Sequence, residues 1–538
     1  MKNRIHVTFS GLLISYILFI ANVYGSLSYI WVANIGTAAF ALAALYLADL
    51  NIKKALFSMT GLVPSVIGGL IIAGAHYPLG NFSIATMIVY CIGLTIFFKV
   101  LLYGFAYSGQ KIYTQDERTK GDAKVVFWGI CVLVVFCLAL RWSQSYPAGS
   151  SPDTINQWKQ IHNEIPLNDI HAIGHTLFMK ALLSLYDNYA IVIFIQIVAV
   201  ATSLAVISRY LYLRGIDYRL MVLAVSLFFT YRPFVSIFIY PWKDVPYAIC
   251  LLLISFAIMK VQRDEQLIVP QLIGLGFMLA GVGLFRLNGM LPMILVALYF
   301  VVIALKQRKV RLIAIPAIAL VAILMMNLVA YMVLDTQRTE NGFSVAVFGS
   351  GISAVVAMDG DIAPEQMEEI RQILPVEWMK EKYTTWDHNG LLWDEEPDFI
   401  RPAIKIPSNS FVAALGAHKG DVIRLYFALL PRNIILYAKD FLYNTRILWG
   451  MNNESFIFSN VFLFVLMVLS VCVLWKRKTI KKYWPVFIPV TGSMVSVMAA
   501  ITNEYRYVMP TVLLFLPLLF YIILIHNEQR EKDTAGQV

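Results

Sequence analysis

The chain reads as an all-α polytopic membrane protein with about fourteen transmembrane helices. Three observations predict this. Hydrophobic residues make up 59% of the sequence and charged residues 14%, against roughly a quarter charged in a soluble domain. The apolar residues gather in runs of about 20, the length a helix needs to cross the hydrocarbon core. Lys and Arg concentrate in every second loop, the pattern that orients helices in a bilayer.

Taken in order, the expected spans are approximately 5–27, 29–50, 56–77, 82–107, 125–143, 189–209, 219–240, 244–261, 269–285, 288–305, 311–335, 455–475, 485–502 and 507–526. The first run, from about Ile5 to Leu27, has no small-residue cleavage site and reads as a retained helix. Basic clusters at Lys53/Lys54, Lys111–Lys124, Arg209–Arg219, Lys260/Arg263, Lys306–Arg311 and Lys476–Lys482 fall on one side of these spans. That side is expected to be cytoplasmic, and both termini share it. The net charge of +10 is thereby assigned to orientation and not to nucleic acid. All five cysteines (Cys91, Cys131, Cys137, Cys250 and Cys472) lie inside apolar runs and read as packing residues without a disulfide framework. This suits a multi-pass protein of a bacterial cell membrane.

The organisation expected is a four-helix N-terminal membrane extension (1–110), a membrane core (125–335), an extracellular domain (336–453), and C-terminal transmembrane helices with a cytoplasmic tail (454–538). The core carries a first outer loop, 143–188. In that loop a polar stretch, Ser150 to Asp169, precedes His171 to Tyr186. The latter is too short and polar to span and suits a helix lying on the membrane surface. The second outer segment has helix signals of its own. Asp361 precedes Pro364 and Glu365, which suit a first turn, and Met367, Ile370 and Ile373/Leu374 follow as an apolar stripe. Val422–Leu430 and Asn433–Ile447 read as amphipathic helices approaching the membrane. The Trp386, Trp393 and Pro397 region reads as loop.

Charged residues at helix edges carry the functional argument, because hydrocarbon tolerates charge poorly and such groups usually face a cavity or a site. Asp153 follows the fifth span in SPDTINQW. A carboxylate there suits a general base or a ligand for a metal on a phosphate leaving group; it equally suits an N-cap, a role Ser151 or Thr154 also fits. Gln157, on the same segment, is a substrate-binding candidate. Asp169, His171 and His175 form a second group. Histidines at i and i+4 share a helix face and can bind a divalent metal such as zinc, although no third ligand is set by spacing, and histidines satisfied by backbone or water are the commoner case. His171 is also a substrate-binding candidate.

Lys243 and Asp244 sit in YPWKD at the start of the eighth span. They read either as an adjacent snorkelling ion pair with Asp244 favoured by the helix N-terminus, or as a phosphate-holding site. FRLNG follows, with Arg286 offering a fork of donors and Asn288 and Gly289 suited to a tight turn. NEYRY opens the last span. There Arg506 suits a phosphate contact and Glu504 suits holding Arg506 in place; a Tyr-rich interfacial belt is the plainer reading. Arg232 lies deeper and is costly unless paired, and Asp387 and His388 carry no assignment.

The ordered pieces SPDTINQW with its juxtamembrane helix, YPWKD, RLNG and EYRY resemble the GT-C superfamily of polytopic membrane glycosyltransferases, in particular an uncharacterised bacterial GT-C-like branch. The resemblance runs from about residue 125 onward. It implies a GT-C-like core in which the first outer loop bears the catalytic Asp, here Asp153. Basic residues of other outer turns, here Lys243, Arg286 and Arg506, would hold the phosphate of a polyprenyl-phosphate sugar donor. The catalytic loop here follows the fifth span instead of the first, which implies four added spans. No acidic residue follows Asp153 directly and no WWD-type motif is present, which speaks against a protein-asparagine oligosaccharide transferase.

The expected function is therefore inverting sugar transfer from a polyprenyl-phosphate donor to a cell-envelope glycan, polymer or protein at the outer membrane face. Two other classes stand beside it. A transporter or flippase of lipid-linked sugars favours interrupted spans in repeated halves with midplane charges, and no repeat is visible. A non-catalytic membrane scaffold is the third.

Overall fold

Proline opens several helices here, because its fixed φ suits a first turn whose N–H groups are unpaired in any case. Pro152, Pro246, Pro270 and Pro364 all lie in first turns. The computed structural model describes residues 120–535 apart from 231, 340–341, 385–387, 397–399, 402–405, 408, 446–447, 449–466, 469, 473, 476–477 and 501–503, together with Leu62 and Val66. The four expected spans of 1–110, save Leu62 and Val66, and residues 455–466 of the span at 455–475 lie outside the described residues.

Among the described residues, six helices are long and apolar enough to cross a membrane: Gly121–Ser143, Ala190–Leu213, Asp244–Gln262, Leu287–Lys306, Val310–Val333 and Met509–Gln529. The protein is thus an all-helical membrane protein, with one short antiparallel pairing of Ile400–Arg401 with Ile406–Pro407. Three further expected spans take other forms. The 219–240 run is two helices, Tyr218–Thr230 and Arg232–Ile237; 269–285 is a 17-residue helix, Val269–Phe285; and 485–502 is a 3-10 turn, Trp484–Phe487, followed by Ile488–Ala500. The side chain of Arg232 lies outside the described residues.

The Asp244–Gln262 helix is the axis of the bundle. It packs against the Ala190–Leu213, Val269–Phe285 and Met509–Ala535 helices. Its apolar window is 83% buried, against 17% for Val310–Val333, which leaves most of its surface for lipid. A helix apolar all round belongs inside such a bundle, and Val245, Ala248, Leu251, Leu252 and Ile258 are all buried.

The two ends of this helix differ in charge. At its C-terminal end, Asp264 meets Lys309 (3.1 Å) and Lys482 (3.5 Å), and Arg263 grips Glu528 with two hydrogen bonds of 2.8 and 2.7 Å. Glu265 binds Arg214 and Tyr210. Four basic loops and the last helix therefore gather at one end. Asp244 opens the helix at the other end, where the candidate site lies.

A second apolar core stands apart from the bundle. The helices Ala346–Ala357, Pro364–Ile373, Val376–Lys382, Ser410–Ala417 and Lys419–Asn444 enclose Val355, Ile370, Met379, Phe411, Leu415 and Leu425. Pro364 does begin a helix with Ile370 inward, and its N-cap is Ala363. The two expected amphipathic helices after Val422 are one, Lys419–Asn444, kinked at Asn433 behind Pro431. The region expected as loop is in part ordered. Asn389–Trp393 is a short helix, and the Trp393 ring stacks on Phe343 at 4.8 Å; Trp386 and Pro397 lie outside the described residues. The expected surface helix after His171 is Ile173–Leu183.

Candidate functional site

Ser151 and not Asp153 caps the helix Pro152–Ile161. The Ser151 side chain accepts from the Thr154 backbone N–H while Thr154 Oγ1 accepts from the Ser151 N–H. This reciprocal box satisfies two otherwise orphaned donors, and it frees the Asp153 carboxylate for other contacts. Trp242 steadies the same turn, donating from its indole N–H to Ser151 Oγ at 2.9 Å.

Two cations from distant helix edges converge on Asp153. Arg506 Nη1 donates to Asp153 Oδ2 at 3.0 Å, and Lys243 Nζ lies 3.8 Å from the same oxygen. Arg506 also pairs through Nε with Glu504 at 2.5 Å and donates from Nη2 to the Tyr507 hydroxyl at 3.1 Å. Its guanidinium lies over Trp242 and Tyr507, 5.0 and 4.9 Å from the ring centroids. Asp153 remains 26% exposed and Lys243 19%, so solvent or a ligand reaches both. Burial acts to raise the Asp153 carboxyl, but Lys243, His171 and Arg506 outweigh it and hold it at about 2. The carboxylate is therefore ionised at any ordinary pH.

Asp244 and Arg286 form a second, closed pair. Arg286 Nη1 lies 3.3 Å from Asp244 Oδ1, and the two side chains are 1% and 0% exposed. Lys243 and Asp244 thus do not pair with each other, which corrects the expectation of an adjacent ion pair. Neighbouring residues at a helix start point in different directions, so Lys243 turns to Asp153 while Asp244 turns inward. Arg286 also contacts Tyr507, donating to its carbonyl at 3.5 Å and lying 4.7 Å from its ring. The Tyr507 ring is therefore shared by Arg286 and Arg506 and joins the two clusters. Asn288 donates to the Ser496 carbonyl at 3.3 Å and fastens the 3-10 turn to the Ile488–Ala500 helix. Gly289 is required there, since a Cβ would stand 1.9 Å from the Val282 carbonyl.

The metal candidates do not come together. Asp169 accepts from the Thr339 N–H and hydroxyl, each at 2.6 Å, and from the Tyr331 hydroxyl at 3.0 Å. It stitches the 143–188 segment to the chain just after the Val310–Val333 helix, beside the Asn168–Gln337 bridge. His175 is fully buried, and Gln157 bonds it at 3.2 Å and Thr176 at 2.9 Å. Gln157 and His175 thus tie the helices Pro152–Ile161 and Ile173–Leu183 together. His171 is half-buried beside Asp153 and Lys243; burial first, then Lys243, lowers it to about 4, so it is neutral at pH 7. Burial likewise lowers His175 to about 3. Among the described residues no group of three or more His, Cys, Asp or Glu side chains is placed to hold a metal ion.

Sequence reasoning passed over Trp242 and Tyr507 as site members. Both adjoin a charged residue that it singled out, in YPWKD and EYRY, and an aromatic ring beside an Arg or Lys is a ready cation–π partner. Comparisons with protein-family models, with curated proteins and with solved structures return no match.

Proposed function

We propose that the protein is a GT-C-like glycosyltransferase acting at the outer face of a bacterial membrane, moving a sugar from a polyprenyl-phosphate donor to a cell-envelope acceptor. The observation that supports this best is the placement of Asp153. It is freed from capping, partly exposed, and held between Lys243 and Arg506 at the end of the bundle opposite the basic loops.

The chemistry follows from these contacts. Lys243 retains exposure and touches Asp153 only at 3.8 Å, so its ammonium has donors left for a phosphate. Arg506 already holds the exposed Glu504 carboxylate, which a phosphate oxygen can replace. A carboxylate gripped by two cations is a weak base. A bound phosphate draws those cations toward itself and returns basicity to Asp153 at the moment the donor is in place. Asp153 then takes the proton of an acceptor hydroxyl or amide. The acceptor heteroatom bonds to the anomeric carbon, the carbon–oxygen bond to phosphate breaks, and polyprenyl phosphate leaves. Arg286 and Asp244 serve as the buried support of Tyr507 and thereby of Arg506.

A second reading is favoured by the charge balance. Asp153, Asp244 and Glu504 offset Lys243, Arg286 and Arg506, so the cluster also suits a structural clasp in a non-catalytic membrane scaffold. Incubating the purified protein in proteoliposomes with a panel of polyprenyl-phosphate sugars and a bacterial cell-envelope extract as the source of acceptor hydroxyls and amides decides between them. Release of sugar-free polyprenyl phosphate supports the transferase; no release with any donor, alongside no donor binding, supports the clasp.

A further inference from the structure

The Lys419–Asn444 helix is apolar on two opposite sides. One side, with Val422, Leu425, Leu429 and Tyr437, is buried in the second core. The other exposes Phe427 (57%), Ile434 (63%), Ile435 (67%) and Leu442 (56%). Beyond the kink at Asn433, Ile434, Ile435, Ala438 and Leu442 fall in one stripe about 100° wide at 100° per residue, the width of a helix face that meets an apolar phase, and Phe427 continues the exposed apolar surface before the kink. The stripe beyond the kink is about 12 Å long. Arg432 precedes it and Lys439 flanks it. The only acidic residue from Phe427 to Leu442 is Asp440, which is buried on the opposite side.

We propose that this face lies in the outer leaflet of the bilayer as an in-plane helix, with Arg432 reaching the phosphate headgroups. Two observations commit the face to lipid. The flanking charge is wholly positive, which complements anionic headgroups, and the long Arg432 stem can lie along apolar surface while its head reaches the polar layer. The helix also ends close to the membrane bundle: four residues beyond Asn444, Leu448 is fully buried against Val497, Tyr507 and Val508. The C-terminal end of the helix is thus tethered beside Tyr507, at the end of the bundle that carries Asp153. Lipid anchoring of this helix would hold the second core close over that end. The inference does not depend on the transferase reading.

Photocrosslinking of the full chain in nanodiscs of phosphatidylethanolamine and phosphatidylglycerol tests it. The photoreactive residue p-benzoylphenylalanine is placed at Ile435, with Leu298 on a membrane helix as the lipid-facing reference and Glu381 as the water-facing one. Position 435 is expected to give lipid adducts as Leu298 does. Crosslinks to another part of this chain, to a second copy or to another protein, or the lipid-free result of Glu381, would overturn the proposal. If the variant at Ile435 does not fold, the same label at Phe427 carries the test. Arg432→Gln is expected to lower the phosphatidylglycerol share of the adducts by up to about fivefold, from roughly 1 kcal/mol per cation near an anionic surface; an unchanged share would overturn the headgroup contact.

Discussion

Arg506 reaches across 353 positions of sequence to donate a 3.0 Å hydrogen bond to Asp153. That contact locks the Pro152–Ile161 helix to the entrance of the last membrane helix. It fixes a guanidinium fork beside the partly exposed carboxylate, and the Trp242 and Tyr507 rings flank that guanidinium at 5.0 and 4.9 Å. The charge is thus positioned before any ligand arrives.

Arg506→Ala removes one of the two proposed phosphate partners while leaving Asp153 in place with Lys243. Donor affinity is expected to fall by about tenfold or more, the scale of one charge-assisted hydrogen bond. Arg506→Lys restores the charge without the fork and should recover only part of it. Titration of a polyprenyl-phosphate sugar against the purified variants measures this; unchanged affinity in Arg506→Ala would remove the phosphate from this position.

The Asp244–Arg286 pair predicts a stability signature. Removing one partner leaves an uncompensated charge among buried aromatic rings, which typically costs about 3–5 kcal/mol. Asp244→Asn and Arg286→Met are each expected to lower the unfolding temperature of the detergent-solubilised protein markedly. The double variant should lose less than the sum of the two, because it leaves no charge stranded. Additive losses would show that the two side chains are not coupled.

A pH effect is expected from the second core. Asp440 accepts from Tyr383 (2.6 Å), Asn444 (2.6 Å) and Ser350 (3.1 Å), and burial outweighs these bonds to raise its carboxyl to about 7. The folded state then binds this proton more tightly than the unfolded chain, so stability should fall as pH rises from about 4 to about 7 and level off above. Asp440→Asn should flatten that slope. The sign is opposite for Asp153, whose lowered value stabilises above about 4 and is lost as pH falls toward about 2. Unfolding midpoints recorded across pH 4–8 for wild type and Asp440→Asn check the first effect; a slope retained in the variant would assign it elsewhere.

Much of this arrangement is written in the sequence, and the parts that are not have physical reasons. Apolar run length locates the membrane helices, and the basic loops do gather at one end around Asp264, Glu265 and Glu528. Helix breaks within apolar runs are harder to see, and the Tyr218–Thr230 and Arg232–Ile237 helices read as one hydrophobic stretch. The sequence leaves the cap of the Pro152–Ile161 helix open among Ser151, Asp153 and Thr154; Pro152 at the first helical position makes Ser151 the cap and releases Asp153. The short-range pair of Arg506 with Glu504 was legible, but the long-range charge partners were not. Lys243 and Asp244 are adjacent in sequence yet bind Asp153 and Arg286, because adjacency along a chain says little about direction in space. Asp169 looked like a ligand by its spacing to His171, but its partners Tyr331 and Thr339 come from more than 160 residues away.

The central claim is that Asp153 performs chemistry in addition to clasping Arg506. The most direct measurement is turnover of the Asp153→Asn variant in proteoliposomes with a polyprenyl-phosphate sugar that the wild type uses, with donor binding measured on the same preparation. Asparagine keeps the shape and an acceptor for Arg506 but has no basic oxygen. The account predicts a loss of turnover on the order of a hundredfold or more, with donor binding retained. Wild-type turnover in a folded, donor-binding Asp153→Asn protein would contradict it and leave Asp153 as a clasp alone.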